Sequence, residues 1–401
     1  MPASGQSPLG KSRIRKGRTM KVRVGLIGVS GYGRTHFVNW SRLVRQGGVE
    51  LAAAAVINPD QVPDQLAVLK EFGTQVYPSA DAMFEAEKGK LDLVSIPTGI
   101  AFHEPMTVAA LAAGANVLVE KPAAGSTAAV ERMIEAEKSS GHFVAVGFQH
   151  TYAREVQFIK KYLLGGRLGE VRRIVCSGIW PRADQYYGRN SWAGKRTMPD
   201  GTPVFDSPIN NAFAHYLNLQ LFFAGNTFAE SARAVSVEGN LYRARKTIET
   251  FDTCALRFRT GNGIELVTLL SHTCADKTDP SIRIECSGGE VFWQAGHTWN
   301  IRSARGELLN SGLAEVPIAD MFKDVVRKVS GETAFCCPLS VAVEHTRCIE
   351  MLSQQLTPAE LTESVTRIEE TGQYVLDRVE SVFDDCFLRG ALPAERGVVW
   401  K

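Results

Sequence analysis

The sequence has no apolar run approaching the roughly 18–20 residues needed to cross a bilayer, which excludes a membrane-spanning helix. It also lacks an excess of either charge. Lys and Arg number 45 against 43 Asp and Glu, for a formal net charge of +2. That balance removes the electrostatic case for nucleic acid or an acidic membrane as a partner. There is no CxxC pair and no metal-ligand spacing among the cysteines at 176, 254, 274, 286, 336, 337, 348 and 386. Scattered in this way they read as small core residues, and reduced thiols in a cytoplasmic protein are expected. A metal-ligand cluster, a nucleophile elbow, a P-loop and internal repeats are likewise missing. No metal is expected.

Residues 1–20 are rich in Ser, Gly and Pro and carry Lys11, Arg13, Arg15, Lys16 and Arg18. They lack the apolar centre of a secretion signal and read as a disordered basic extension, with Met20 as an alternative start.

What remains is a chain of 401 residues, 44% hydrophobic and 22% charged, long enough for two domains with real cores. From residue 21 to 150, short runs rich in Val and Ala alternate with helical patterns. The runs at 22–27, 51–57, 93–96, 117–119 and 143–146 lack polar alternation, as strands buried on both faces should. Helices are expected near 35–45, 80–87, 104–113 and 126–139. Strand–helix alternation specifies a doubly wound parallel sheet, an α/β Rossmann domain. Residues 151–401 read differently. A helix near 153–164 precedes a strand at 171–179, an aromatic and basic loop at 180–202 and a helix at 208–224. Period-two segments across 229–300 then indicate an antiparallel sheet. Helices at 340–352 and 364–383 are expected to return to the body of the protein.

The first strand runs into Gly28-Val29-Ser30-Gly31-Tyr32-Gly33 and then a helix. Glycines there permit a tight turn and close approach to a pyrophosphate, which the helix N-terminus stabilises. The spacing is GxxGxG, with Ser30 in place of the usual second glycine. Asn58 follows the second strand where a ribose-binding acid is common, and no Arg follows it to pair a 2'-phosphate. NAD is therefore favoured and NADP stays open. Pro97-Thr98 and His103 follow the next run, and Glu120-Lys121-Pro122 ends the one after. Lys121 thus stands at the ligand-binding edge of the sheet, where it can hydrogen-bond a substrate hydroxyl or support its deprotonation.

The glycine turn, Pro97-Thr98…His103, Ala112-Ala113-Gly114-Ala115-Asn116-Val117, Glu120-Lys121-Pro122 and Val146-Gly147-Phe148-Gln149 together resemble the Gfo/Idh/MocA oxidoreductase family. The resemblance covers nearly everything from Lys21 onward. It implies a Rossmann domain, a second α/β domain with an open, mostly antiparallel sheet whose face mediates homodimers or homotetramers, and NAD(P)-linked chemistry at the carbinol of a sugar or polyol. The cofactor set it points to is Gly28, Ser30, Gly31, Tyr32, Gly33, Asn58, Pro97, Thr98, His103, Glu120, Lys121 and Gln149. The family places an Asp and, four residues on, a His on a helix facing the nicotinamide. Here His215 matches the histidine and Asn211 takes the Asp position. Asn cannot accept a proton, so His215 is expected as the base, with Lys121 as donor or relay. Asp206 reads as a helix cap.

The loop residues Arg182, Tyr187, Arg189, Asn190, Trp192 and Lys195, with Tyr152, are expected to face substrate, since aromatic faces suit sugar rings and cations suit anionic substituents. The remaining histidines, His36 and His345 among them, read as structural or surface residues. Besides a dehydrogenase or reductase, two functions stay open: an NAD-dependent glycoside hydrolase using transient oxidation, and a cofactor-binding protein with weakened chemistry.

Overall fold

The structure is a computed structural model that describes residues 21–401, so the basic extension expected over 1–20 lies outside the described residues. The first sheet is built from β1 (Val22–Ile27), β2 (Val49–Ala55), β3 (Gln75–Tyr77), β4 (Leu93–Ile96), β5 (Asn116–Val119) and β6 (Val144–Val146). Its strand order is β3-β2-β1-β4-β5-β6, with every pair parallel. The crossovers carry α1 (Gly33–Arg45), α2 (Pro63–Glu71), α3 (Ala80–Ala86), α4 (Ile100–Ala112) and α5 (Thr127–Ser140). All four residues of β4 are buried, as helices on both faces require. The order reverses between β1 and β4, and at such a point the strand ends splay to leave a crevice for ligand.

Beyond α6 (Arg154–Leu164) the chain enters a nine-stranded sheet. Its strands are β7 (Val171–Ile179), β8 (Ala234–Arg243), β9 (Thr253–Thr260), β10 (Glu265–Ser271), β11 (Thr278–Cys286), β12 (Gly289–Gln294), β13 (Thr298–Ser303), β14 (Leu308–Leu313) and β15 (Ala359–Glu360). The order is β14-β13-β12-β11-β7-β10-β9-β8-β15, antiparallel except where β7 meets β10 and β8 meets β15. Between β7 and β8 come a short α7 (Asp184–Tyr187) and a fully buried α8 (Ala214–Ala224). Gln220 of α8 donates to the carbonyls of Ile174 and Val267, each at 2.9 Å, which pins the helix to one sheet face.

Two helices, α9 (Ile318–Val329) and α10 (Leu339–Gln355), return to the first sheet's side. Phe322 of α9 packs edge-on against His36 and Trp40 of α1, with ring centroids 4.9 Å apart in both cases. No helix was expected at α9, although Ile318, Met321, Phe322 and Val325 carry a helical repeat. The helix expected at 364–383 is instead a hairpin, β16 (Val365–Ile368) and β17 (Gln373–Leu376), followed by α11 (Val379–Arg389). Gly372, in the left-handed region at φ 66°, closes the turn, which a continuous helix would not permit.

The far face of the second sheet is not left open. Leu361, Leu376, Val379, Val382, Phe383 and Trp400 form one apolar cluster with Val175, Tyr242, Ala255 and Val267 of its strands. The centre of the face expected to receive a second subunit is therefore covered by the chain's own residues 361–400. No helix among the described residues is long and apolar enough to cross a membrane. All eight cysteines are free thiols.

The loop between β5 and α5 packs tightly on the loop between α7 and α8 at Gly125, where a Cβ would lie 1.9 Å from the carbonyl oxygen of Pro203. Backbone cannot yield that much locally. Gly125→Ala should lower the unfolding free energy by about 1–3 kcal/mol in urea titration. A variant as stable as the parent contradicts this packing.

Candidate active site

Gly28 and Gly31 hold φ of 85° and 54°, so the turn after β1 needs glycine at both places. Gly33 answers to a different demand, because a Cβ there would meet the Gly28 carbonyl oxygen at 2.7 Å. The turn therefore packs directly onto the start of α1. That helix has no side-chain cap and no acid in its first turn. Its N–H groups and dipole are left to an external anion, which is what a dinucleotide pyrophosphate supplies. Asn58 Nδ2 donates to Gln61 Oε1 at 2.9 Å and lies 3.5 Å from Ser30 Oγ, so it stands beside the turn with its own amide oxygen unbonded among the described residues. The local structure fits the dinucleotide expected from the sequence.

Across the crevice, His103 of α4 is buried and joins two loops. One ring nitrogen lies 3.0 Å from the Thr98 carbonyl and the other 2.8 Å from that of Pro122. Burial pulls its pKa down, so the neutral ring donates to one of the two. His103 thus fixes the walls and does not line the crevice.

Glu120 is 4% exposed, and a buried carboxylate is tolerated only with partners. Its Oε1 accepts from His36 Nε2 at 3.0 Å, and its Oε2 accepts from the Lys121 backbone N–H at 3.0 Å. His36 Nδ1 lies 2.7 Å from Ser95 Oγ, which also accepts from Trp40 Nε1 at 2.9 Å. One tautomer satisfies the whole chain: Ser95 donates to Nδ1 and Nε2–H donates to Glu120. His36 is thus a positioning residue for Glu120. Its spacing on α1, four before Trp40, was the available signal.

Lys121 extends from the end of β5 to the segment before α8, where Nζ donates to the Asn211 carbonyl at 2.8 Å and to Asn211 Oδ1 at 3.3 Å. Burial lowers its pKa below the ordinary 10.5, against the opposing pull of Glu120 and Asp206. The expected continuous helix over 208–224 is broken here. A single turn at Pro208–Asn210 gives way at Asn211, and α8 begins only at Ala214. Asn211 and His215 therefore do not share a helix face, and the Asn211 carbonyl is turned to the lysine.

Asp206 does not cap a helix. Its carboxylate accepts from Asn211 Nδ2 at 2.7 Å, from the Gly194 N–H at 2.7 Å and from Arg189 at 3.2 Å. The residue before it, Phe205, is held at φ 40°, a strained value that fits a site built around Asp206. His215 lies beneath, 9% exposed, with Nδ1 unpartnered. Burial, then the charge of Lys121, then His150 and His345 push its pKa well down. His150, with its ring 5.4 Å away, is pulled down to about 4 by burial.

These elements enclose a cavity of about 420 Å³ lined by Gly31, Tyr32, Thr98, Glu120, Lys121 and Asn211, and closed on the far side by Arg189, Asn190 and Trp192. Other expected residues fall elsewhere. Tyr152 is fully buried, its hydroxyl donating to the Val146 carbonyl at 3.1 Å, so it has no access to a substrate. Gln149 and Pro97 stand outside the lining, and Arg182 packs over Trp180 and Tyr186. Tyr187 and Lys195 line a second, adjoining cavity.

His36→Ala removes the donor to Glu120 Oε1 and the acceptor of the Ser95 hydroxyl, both in the core. The unfolding free energy should fall by about 2–4 kcal/mol in urea titration. A loss well under 1 kcal/mol contradicts the network.

Residues 22–148 match the family model described as "Oxidoreductase family, NAD-binding Rossmann fold", and residues 156–292 match the GFO/IDH/MocA C-terminal domain. Inositol 2-dehydrogenase of Pseudomonas fluorescens is 33% identical over 171 residues, 42% of this chain and 49% of that protein. The chain thus spans about half the length of the curated relatives it matches first. Inositol 2-dehydrogenase 4 of Saccharopolyspora erythraea is 27% identical over 71% of this chain and 78% of its own. Among solved structures, the WlbA dehydrogenase of Bordetella pertussis in complex with NADH and UDP-GlcNAcA superposes with a TM-score of 0.67 at 20% identity, covering 84% of this chain and 96% of that one. The inositol dehydrogenase homolog of Azotobacter vinelandii complexed with NAD+ gives 0.71 at 17% identity, over 84% and 97%. At these identities the likeness is one of fold. With its N-terminal and C-terminal domain models both matched, over 22–148 and 156–292, the chain belongs to the Gfo/Idh/MocA oxidoreductase family.

Proposed function

We propose that this protein is an NAD-dependent dehydrogenase or reductase acting on a secondary alcohol of a sugar-like substrate. The observation that carries the reading is Lys121, with its lowered pKa, in the cavity next to the glycine turn. The glycine turn and the α1 N-terminus would hold the NAD, which would supply the hydride acceptor or donor for the carbinol carbon.

The chain's own residues handle the proton. In the oxidation direction neutral Lys121 Nζ accepts the proton of the substrate hydroxyl as the carbonyl forms, and in reduction the ammonium gives it back. Asn211 aims the amine through two acceptor oxygens, and Asp206 fixes the Asn211 amide. This division of labour differs from the expectation of His215 as base. Its depressed pKa makes His215 a poor proton acceptor, and its neutral ring beside Lys121 spares the lysine a second positive charge. Arg189, Asn190 and Trp192 close the side of the cavity where substrate hydroxyls would bind.

Lys121→Met should lower kcat for the preferred sugar or polyol by about 10²–10⁴-fold while NAD affinity changes little. In the parent, oxidation needs the neutral amine, so kcat/KM should rise with pH through the Lys121 pKa and level off below the ordinary lysine value of 10.5. Reduction should show the opposite slope. Nicotinamide absorbance followed across a pH series checks both. Full activity in Lys121→Met, or oxidation that falls as pH rises, contradicts the assignment.

A homodimer or homotetramer also belongs to this proposal, with subunit contact placed at the β14 edge. There Leu308, Leu313 and Val316 are 56%, 73% and 59% exposed, while residues 361–400 cover the centre of the sheet. Leu313→Asp should convert the oligomer to monomer in light scattering. An unchanged mass places the contact elsewhere.

A further inference from the structure

A second cavity, of about 570 Å³, adjoins the first and shares Asn190 with it. Its size falls within the roughly 300–1,000 Å³ usual for ligand pockets. Two walls form it: the loop that carries Asp184, Tyr187 and Asn190, and the β16–β17 hairpin that presents Arg367 and Tyr374. The hairpin lies beyond the residues matched by the family models.

The two walls are fixed to each other by a buried post. Arg245 is 2% exposed and makes an ion pair with Asp184 while donating to the carbonyls of Arg182 and, at 3.0 Å, Gly372. Its guanidinium lies over both Tyr187 and Tyr374, at 4.8 and 4.5 Å from the ring centroids. The Asp184 N–H donates to the Gly372 carbonyl at 3.1 Å, and a Cβ on Gly372 would come within 2.6 Å of Asp184 Oδ2. Arg367 completes the latch at 2.9 Å from the same oxygen. A wall held this way presents a preformed surface, which reduces the ordering cost of binding.

The chemistry of the lining is uncharged in its unused capacity. Lys195 and Arg367 are already paired with Glu249, Asp184 and Glu369. The hydroxyls of Ser191 and Thr247 and the Asn190 amide N–H₂ make no hydrogen bond among the described residues. The Tyr187 hydroxyl is buried without a partner. Neutral hydroxyl and amide groups on a rigid cleft suit a ring bearing many hydroxyls better than they suit a phosphate.

We propose that this second cavity is a subsite for a second sugar ring, so that the preferred substrate is a disaccharide or glycoside whose reacting ring sits at Lys121 and whose distal ring lies between Tyr187 and the hairpin. This rests on the sugar-alcohol reading of the first cavity. It assigns specificity to the hairpin: Asn190, common to both cavities, stands where the glycosidic link passes.

The test is calorimetric binding of glucose and galactose against cellobiose, maltose and lactose to the full NAD-saturated chain, with nicotinamide absorbance read in parallel. At least one disaccharide should bind about tenfold more tightly than either monosaccharide. That preference should collapse in Thr247→Trp, which fills the cavity, and in Tyr374→Ala, which removes its wall. Two variants guard against one that does not fold. Disaccharides that bind no better than monosaccharides, or a preference that survives both substitutions, overturn the subsite. Disaccharide binding without any absorbance change removes the redox reading and leaves the subsite standing. Monosaccharide turnover with no size preference does the reverse.

Discussion

Lys121 leaves the end of β5 in one sheet and is received by Asn211, just ahead of the helix that braces the other. The site exists because that one side chain crosses between the two halves. An ammonium drawn from water is costly, and its burial must be offset by oriented oxygens. The break in the chain at Asn211 turns both its side-chain oxygen and its carbonyl, which also accepts from the Ala214 N–H at 3.3 Å, to the amine. Asp206 holds Asn211, and Gly194 and Arg189 hold Asp206. The lysine is thus linked through Asn211 and Asp206 to Arg189 and Gly194 of the preceding loop.

The same contact distributes charge. Glu120 on one side and Asp206 on the other each favour the ammonium, while burial and Arg189 oppose it. Burial leads, so the amine is poised to lose a proton more readily than a surface lysine. The histidines beneath are pushed toward neutrality by the same absence of water. A second cation beside Lys121 is thereby avoided. The cavity keeps one group that exchanges a proton and several that hold still.

Much of this was legible in the sequence, and the reasons are local. Apolar runs of three to six residues identified β1, β4 and β5 because a strand buried on both faces has no room for alternation. The three glycines each answer a backbone requirement within six residues of chain, so their pattern survives without knowledge of the rest. Lys121 was legible because it follows a strand directly. The illegible parts depend on contacts far apart in sequence. The 208–224 segment has no glycine or interior proline to mark a break, and the partner received at Asn211, Lys121, lies ninety residues earlier. Residues 364–383 also read as a helix until Gly372 meets Asp184 and turns the segment into a hairpin. Tyr152 looked like a pocket residue because it follows β6, but its hydroxyl is taken by the Val146 carbonyl. His36 and Asp206 carry no motif, and their roles come from partners 84 and 5 residues away.

The central claim is that a half-buried, Asn211-held lysine is the group that exchanges the proton. The direct measurement is an NMR titration of the lysine side chains in the full chain, with the Lys121 resonance assigned by its loss in Lys121→Arg. The account predicts that Lys121 titrates clearly below the ordinary 10.5. A Lys121 that titrates at or above that value, alongside the surface lysines, would contradict it.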